Sequence, residues 1–92
     1  MDLGIIPNGR NLGSDIIGNL NVSTALYHTW IDALGGWVPC YETILFNFNP
    51  VTRERNGIYK MYGHRSENGA IFAHTRICSI LTYLQERKER SK

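Results

Sequence analysis

The fold is decided by Tyr41-Glu42-Thr43-Ile44-Leu45-Phe46, a run whose β-branched and aromatic residues predict a strand. Alternation along this strand places Glu42 on the same face as Ile44. Farther along the chain, a helical pattern carries His74 on its apolar side. An ionised carboxylate among apolar groups is costly unless it is paired. We therefore expect this helix to cover the face of Glu42 and to bring His74 to it as a buried polar pair, with His28 or a backbone donor as the alternative partner.

The segments on either side of this run predict two more strands. The strand itself extends over residues 38–48, and Asn21–Ile31 is a second β-branched and aromatic run, followed by a turn at 32–36. A short helix ending at Gly35-Gly36 is the alternative for that run. Asn56-Gly57 predicts a tight turn, and residues 58–62 predict the third strand. Residues 1–19, rich in Gly and Asn, are expected to form an N-terminal arm with turns and a short strand near Asp15.

A long helix is predicted from Ser66 to about Arg87. Ser66 is a suitable N-cap, and Glu67 lies in the first turn, where the helix dipole favours an anion. Helical spacing predicts one core-facing stripe, made of Ala70, His74, Ile77, Cys78, Leu81 and Leu84. The expected fold is α+β: a small antiparallel sheet of three or four strands, covered on one face by one long C-terminal helix. The arm would precede a single domain of residues 20–92.

The composition excludes several classes of protein but does not indicate a particular function. The 92 residues, 42% of them hydrophobic, fit one small globular domain, and a net charge of +2 does not by itself indicate nucleic-acid binding. Cys40 and Cys78 stand far apart and predict reduced thiols, with neither a disulfide framework nor a zinc ribbon. The N-terminus lacks the pattern of a signal peptide, and no run approaches the length of a membrane span.

Three short motifs stand in order along the chain: Val22-Ser23-Thr24-Ala25-Leu26, then Tyr41 to Phe46, then Ile71-Phe72-Ala73-His74. Together, over roughly residues 20–80, they resemble small uncharacterised proteins of tailed phages and prophages. Those proteins carry a V-S-T-V-F-L-G strand, an F-E-T-M-V-F strand and a helix containing A-L-A-G-H. Ala73 departs from the glycine of the helix motif. The resemblance implies a phage origin and a location in the cytoplasm of an infected bacterial host, and it brings no established activity.

The outward side of the predicted helix is the first candidate binding surface. A solvated helix surface is normally rich in Glu, Lys and Gln, whereas aromatic residues around an arginine are typical of protein interfaces. Such residues lie on one line opposite the core stripe, and we call them the helix back: Phe72, Arg76, Ser79 and Tyr83. We expect the helix back to bind a partner, which would be a host protein or a second copy in a homodimer.

A second candidate surface would bind phosphate or nucleic acid. It consists of basic residues with one tyrosine as a stacking platform: Arg53, Arg55, Lys60, Arg65 and Tyr59. Glu54 and Glu67 stand among them and oppose this function. A metal site is not expected, because no pair drawn from the histidines and cysteines has a spacing that recurs in zinc proteins; the residues considered are His28, His64, His74, Cys40 and Cys78.

Catalysis is not expected either, since no nucleophile or oxyanion donor can be placed beside Glu42 and His74. No catalytic residue and no cofactor is therefore predicted. The predicted function is that of a non-enzymatic phage accessory protein, which binds and blocks a host protein such as a component of host defence. The alternative is a small nucleic-acid- or nucleotide-binding module.

Overall fold

The computed structural model describes residues 9–90 and contains four strands followed by one helix. The elements are β1 (Arg10–Ile17), β2 (Leu20–Ile31), β3 (Gly36–Asn49), β4 (Glu54–His64) and α1 (Glu67–Arg90). Neighbouring strands pair antiparallel in the order β1-β2-β3-β4, and α1 packs against this open sheet. The predicted α+β class, with a four-stranded sheet and one long C-terminal helix, is confirmed.

The strand interpretation of residues 21–31 is confirmed, since they lie within β2, and the helical alternative is wrong. The tight turn predicted at Asn56-Gly57 is also wrong. Both residues lie inside β4, where the pairing with β3 shifts register and Gly57 has a φ of 99°. The chain reverses instead at residues 50–53, where the Asn49 side chain accepts hydrogen bonds from the backbone N–H groups of Val51 (2.9 Å) and Thr52 (3.2 Å).

The segment predicted as an N-terminal arm supplies an edge strand of the sheet. Residues 1–8 of that segment lie outside the described part of the chain, and residues 10–17 form β1, which pairs with β2. Arg10 forms an ion pair with Glu67 in the first turn of α1, so that β1 is connected to the helix as well as to β2. The predicted N-cap is present too, because the Gly69 N–H donates to Ser66 Oγ at 3.1 Å.

A two-stranded ribbon projects from the sheet. Within the described residues, β1 pairs with β2 only as far as Leu26, and β4 pairs with β3 only from Tyr41 onward. Residues 27–40 therefore pair only with each other, and near their tip Trp30 and Trp37 contact edge to face, with ring centroids 5.5 Å apart. The molecule is consequently elongated, with extents of 59 × 28 × 18 Å.

The core beneath α1 is small. Among the described residues, the buried apolar side chains are Val22, Leu45 and Ala70 on the side that α1 covers, and Phe48 on the opposite face of the sheet. Ala70 and His74 of the predicted helix stripe are buried, whereas Leu84 is exposed near the end of α1. Among the described residues, no helix combines the length and the apolar character needed to cross a bilayer.

Candidate functional site

A continuous series of side-chain hydrogen bonds lies between α1 and the sheet. Asp15 Oδ2 is 2.7 Å from His74 Nε2, and His74 Nδ1 is 2.7 Å from Thr24 Oγ1. Thr24 Oγ1 is 2.6 Å from Thr43 Oγ1, which is 2.8 Å from His64 Nε2. We call these five residues the polar chain. Each of the five elements of the fold contributes one member to it.

The polar chain has a defined direction when the His74 imidazole is neutral. The ionised Asp15 can only accept, so His74 Nε2–H donates to it and His74 Nδ1 accepts from the Thr24 hydroxyl. Thr24 then accepts from the Thr43 hydroxyl, and Thr43 accepts from His64 Nε2–H. Each hydroxyl therefore donates once and accepts once. Burial lowers the pKa of His64, and the nearby Glu42 carboxylate opposes that shift.

Strand register explains why these residues meet. Thr24 stands directly opposite Thr43 on β3 and opposite Gly13 on β1. Residues opposite each other on antiparallel strands share a face, so all three lie beneath α1. Gly13 leaves room for the His74 ring, because a Cβ built on Gly13 would lie only 3.0 Å from Nε2.

We expect Gly13→Ala to lower the free energy of unfolding by about 1–3 kcal/mol, the usual cost of overpacking. His74 cannot easily retreat from the added methyl group, because Thr24 and Asp15 hold both of its ring nitrogens. Urea unfolding would measure the change. Gly63→Ala on β4 is the matched control, since a Cβ there meets no atom of the described residues within 4 Å and should leave stability unchanged or slightly higher. Equal effects of the two substitutions would contradict this account of Gly13.

Glu42 and His74 do not form the buried pair expected from the sequence. Glu42 Oε2 accepts a hydrogen bond from the Tyr27 hydroxyl at 3.1 Å, whereas His74 bonds to Asp15 and Thr24. The helix covers the Thr43 face of β3, and Glu42 points to the opposite, open face. The predicted alternation along β3 is confirmed, but the prediction that the helix covers the face of Glu42 is wrong. Burial and the Glu42 carboxylate together raise the pKa of Tyr27.

One end of the polar chain opens on a groove between β1 and α1. The groove has a volume of about 560 Å³, and Asp15, His74 and Cys78 line one part of it. Cys78 Sγ lies 3.8 Å from Asp15 Oδ2, and burial, together with that carboxylate, raises the pKa of the thiol to about 11. The strand expected near Asp15 is present within β1, but the contact of Asp15 with α1 was not predicted. The sequence does carry one signal for this cluster: His74 and Cys78 are one helical turn apart, so their side chains lie on the same side of α1.

The hydrogen-bonded series Thr24–His74–Asp15 has the residue types of a nucleophile–base–acid catalytic triad, but its geometry does not suit catalysis. Thr24 is fully buried and its hydroxyl is engaged with Thr43, so a substrate cannot reach it. The raised pKa keeps Cys78 protonated near neutral pH, and the thiol is a much weaker nucleophile than the thiolate. The polar chain is therefore best explained as a structural network.

The chain matches no protein-family model, no curated protein and no solved structure. The resemblance of three motifs to tailed-phage proteins therefore stays a prediction.

The helix back is exposed, as the predicted helix phase requires. Phe72 is 67% exposed and Tyr83 is 57% exposed, and Arg76 and Ser79 between them are also exposed. Ser79 and Tyr83 additionally line the groove beside β1. The four residues thus form one accessible surface, and its proposed role in partner binding stays a prediction.

The basic residues of the second candidate surface are not gathered into one site. Arg53 and Arg55 line a cleft on the open side of the sheet, where Arg55 Nε donates to Asn21 Oδ1 at 2.8 Å. Lys60 lies over the Tyr62 ring at 5.5 Å, and Arg65 follows the other end of β4. β4 pairs with β3 from Asn49 to Tyr41, eight residue steps, so Arg65 is separated from the cleft by roughly 27 Å. Tyr59 is exposed and does not line the cleft.

The residues considered for a metal site are mostly apart. Cys40 Sγ contacts the Val38 carbonyl at 3.8 Å, His64 bonds to Thr43, and His28 Nδ1 has no hydrogen-bond partner among the described residues. His74 and Cys78 do come together, and the third residue beside them is Asp15, which is not among the candidates predicted from the sequence. The potential ligand atoms of these three residues lie within 4.8 Å of one another.

Proposed function

We propose that this protein acts by binding another protein, with the helix back as the contact surface, and that it is not an enzyme. The observation that carries the proposal is the exposure of Phe72 and Tyr83 on the same side of α1 as Arg76. Aromatic and arginine side chains supply most of the anchoring residues at protein interfaces. Two exposed aromatic residues with an arginine on the same line of a helix are an unusual composition for a helix surface that only contacts water.

A second exposed apolar surface supports a role in binding. β4 is an edge strand of eleven residues, and its side chains are exposed except at His64. Its apolar members are Ile58, Tyr59, Met61 and Tyr62. A long exposed edge with apolar side chains readily pairs with another chain. With so few buried apolar side chains in the core, added burial against a partner would stabilise the fold appreciably.

The geometry of the polar chain favours binding over catalysis, because its threonine hydroxyls are buried and bonded to each other. The resemblance to tailed-phage proteins suggests the kind of partner: a host protein, possessing a site that a rigid α+β body can occlude. A component of host defence fits that description. The nucleic-acid alternative is weakened by the separation of Arg53 and Arg55 from Arg65 along β4.

Photo-crosslinking in bacterial cells would test the proposal. A benzophenone amino acid is placed at position 72 or 83, and at position 51 or 34 as controls. Val51 is 88% exposed and Leu34 is 73% exposed, more than Phe72 or Tyr83, so both control positions are accessible to crosslinking. We expect a discrete adduct of one foreign protein from positions 72 and 83 and none from 51 and 34. The adduct from position 72 should disappear when Tyr83→Ala and Arg76→Ala are added.

Two results would contradict the proposal. Equal adducts from all four positions would show that exposure alone determines the crosslinking. An adduct made of two copies of this chain would replace the foreign partner with a homodimer, and the blocking function would lose its support. Arg53→Ala/Arg55→Ala should leave the adducts unchanged, because these residues lie on the open side of the sheet.

A further inference from the structure

We propose that Asp15, His74 and Cys78 form a binding site for a transition-metal cation of the zinc type, with three protein ligands and one position open to the groove. The ligands come from two elements that pack together: Asp15 from β1, and His74 and Cys78 from successive turns of α1. Carboxylate oxygen, imidazole nitrogen and thiolate sulfur are the donor atoms that zinc uses in proteins.

The distances are close to those of a coordinated ion. Asp15 Oδ2 lies 2.7 Å from His74 Nε2 and 3.8 Å from Cys78 Sγ, and all three atoms lie within 4.8 Å. Tetrahedral zinc with ordinary bond lengths places such donor atoms roughly 3.3–3.6 Å apart. Small rotations of Asp15 and Cys78 would therefore complete the geometry. Neither side chain is enclosed, so neither rotation requires the core to move.

The surroundings of His74 are those of a metal-binding histidine. Histidine ligands usually donate their second ring N–H to a fixed acceptor, which orients the ring and its tautomer. Thr24 Oγ1, 2.7 Å from His74 Nδ1, can accept that hydrogen bond and leave the Nε2 lone pair directed at Asp15 and Cys78. The Thr24 hydroxyl then donates to Thr43, and Thr43 donates to His64 Nε2. The hydroxyl groups of Thr24 and Thr43 can rotate, so they can form these hydrogen bonds with either tautomer of His74, the metal-bound one or the metal-free one.

A bound cation would also explain why Cys78 lies beside the Asp15 carboxylate. Burial raises the thiol pKa in the protein alone, and repulsion between a thiolate and the Asp15 carboxylate raises it further. A divalent ion between the two groups reverses that interaction and releases the thiol proton on binding. The groove next to the three ligands leaves space for water or for a ligand from a binding partner at the fourth position.

Cobalt(II) replaces zinc and reports its ligands by colour, so titration of the untagged, chelator-treated full chain with Co²⁺ tests the site. We expect one Co²⁺ per chain, with a near-ultraviolet thiolate-to-cobalt charge-transfer band and the intense visible bands of tetrahedral cobalt. Competition with Zn²⁺ should abolish both. Cys40→Ser is the matched control, since Cys40 contacts Val38 far from the cluster, and it should behave as the parent does.

Substitutions at two of the proposed ligands distinguish a specific metal site from nonspecific metal binding. Cys78→Ser should lose the charge-transfer band, and Asp15→Asn should weaken binding by roughly 100-fold or more, because the loss of a ligand exceeds the 10- to 100-fold effect of losing an outer-shell partner. Zn²⁺ should raise the melting temperature of the parent and of Cys40→Ser, but not of Cys78→Ser. Substitution of His74 would also destabilise the fold, so it is not used as a test. Cys78→Ser is the deciding variant, provided that its circular dichroism spectrum matches that of the parent.

The proposal would be overturned by a folded parent that shows no charge-transfer band with Co²⁺. It would equally be overturned if the parent and Cys78→Ser bound the ion with the same affinity and spectrum. These outcomes do not bear on the helix back, since Phe72 and Tyr83 are not ligands.

Discussion

Thr24→Val is expected to lower the free energy of unfolding by about 3 kcal/mol and the melting temperature by roughly 15 °C. The substitution nearly preserves side-chain volume but removes a fully buried hydroxyl that bonds to both His74 and Thr43. Thr43 can recover by donating to His64. His74 Nδ1 has no second partner among residues 9–90, and a buried polar group without a partner carries its full desolvation penalty.

Urea unfolding followed by far-ultraviolet circular dichroism is the suitable measurement, because Trp30 and Trp37 both lie on the ribbon and report poorly on the core. Thr24→Ser should restore most of the stability by returning the hydroxyl. Thr29→Val, on the same strand but outside the polar chain, should change stability by less than about 0.5 kcal/mol. If Thr24→Val unfolds at the same urea concentration as the parent, the polar chain does not stabilise the fold.

The second large effect is expected from Leu45→Ala, which should cost about 2–5 kcal/mol. Leu45 is 3% exposed and stands opposite the fully buried Val22 on the neighbouring strand. Truncating Leu45 removes one of the few large apolar groups of the core, and α1 and the sheet cannot close fully over the space. A domain of this size has a total stability of about 5–14 kcal/mol, so the loss is a large part of it.

Leu34→Ala is the matched control for this substitution, because the same atoms are removed from a turn residue that is 73% exposed. It should change the free energy of unfolding by less than about 0.5 kcal/mol. Thermal and urea unfolding of the two variants in parallel would measure the difference. A comparable loss in both would mean that the small core contributes little and that the stability has another source.

The fold was largely predictable because its elements have strong local signals. β-branched and aromatic runs predicted β2 and β3, and Ser66 with the apolar stripe predicted α1. The errors came where local chemistry is ambiguous. Asn56-Gly57 is a common hairpin dipeptide, but Asn49-Pro50 begins the reversal, and Gly57 instead uses its positive φ at a register shift within β4.

The candidate site was less predictable because it depends on which face of the sheet the helix covers. Both faces of β3 carry apolar residues, so Glu42 and Thr43 could each be assigned to the covered side from the sequence alone. The structure places Thr43 there and leaves Glu42 with Tyr27. The strand expected near Asp15 is present, but it is longer than predicted: glycine and asparagine at the start of β1 predicted turns, whereas pairing with β2 holds Arg10–Ile17 as one strand beside α1.

The distribution of the polar chain, with one member on each element, has a consequence for how the molecule opens. Detaching any one of the five elements breaks at least one hydrogen bond of the polar chain. It also leaves a polar atom on another element without its hydrogen-bond partner. Partial separation of the helix and sheet is therefore penalised, and the body of the protein should open as one cooperative unit. The ribbon of residues 27–40 holds no member of the polar chain, so it can fray and re-form while the body stays closed.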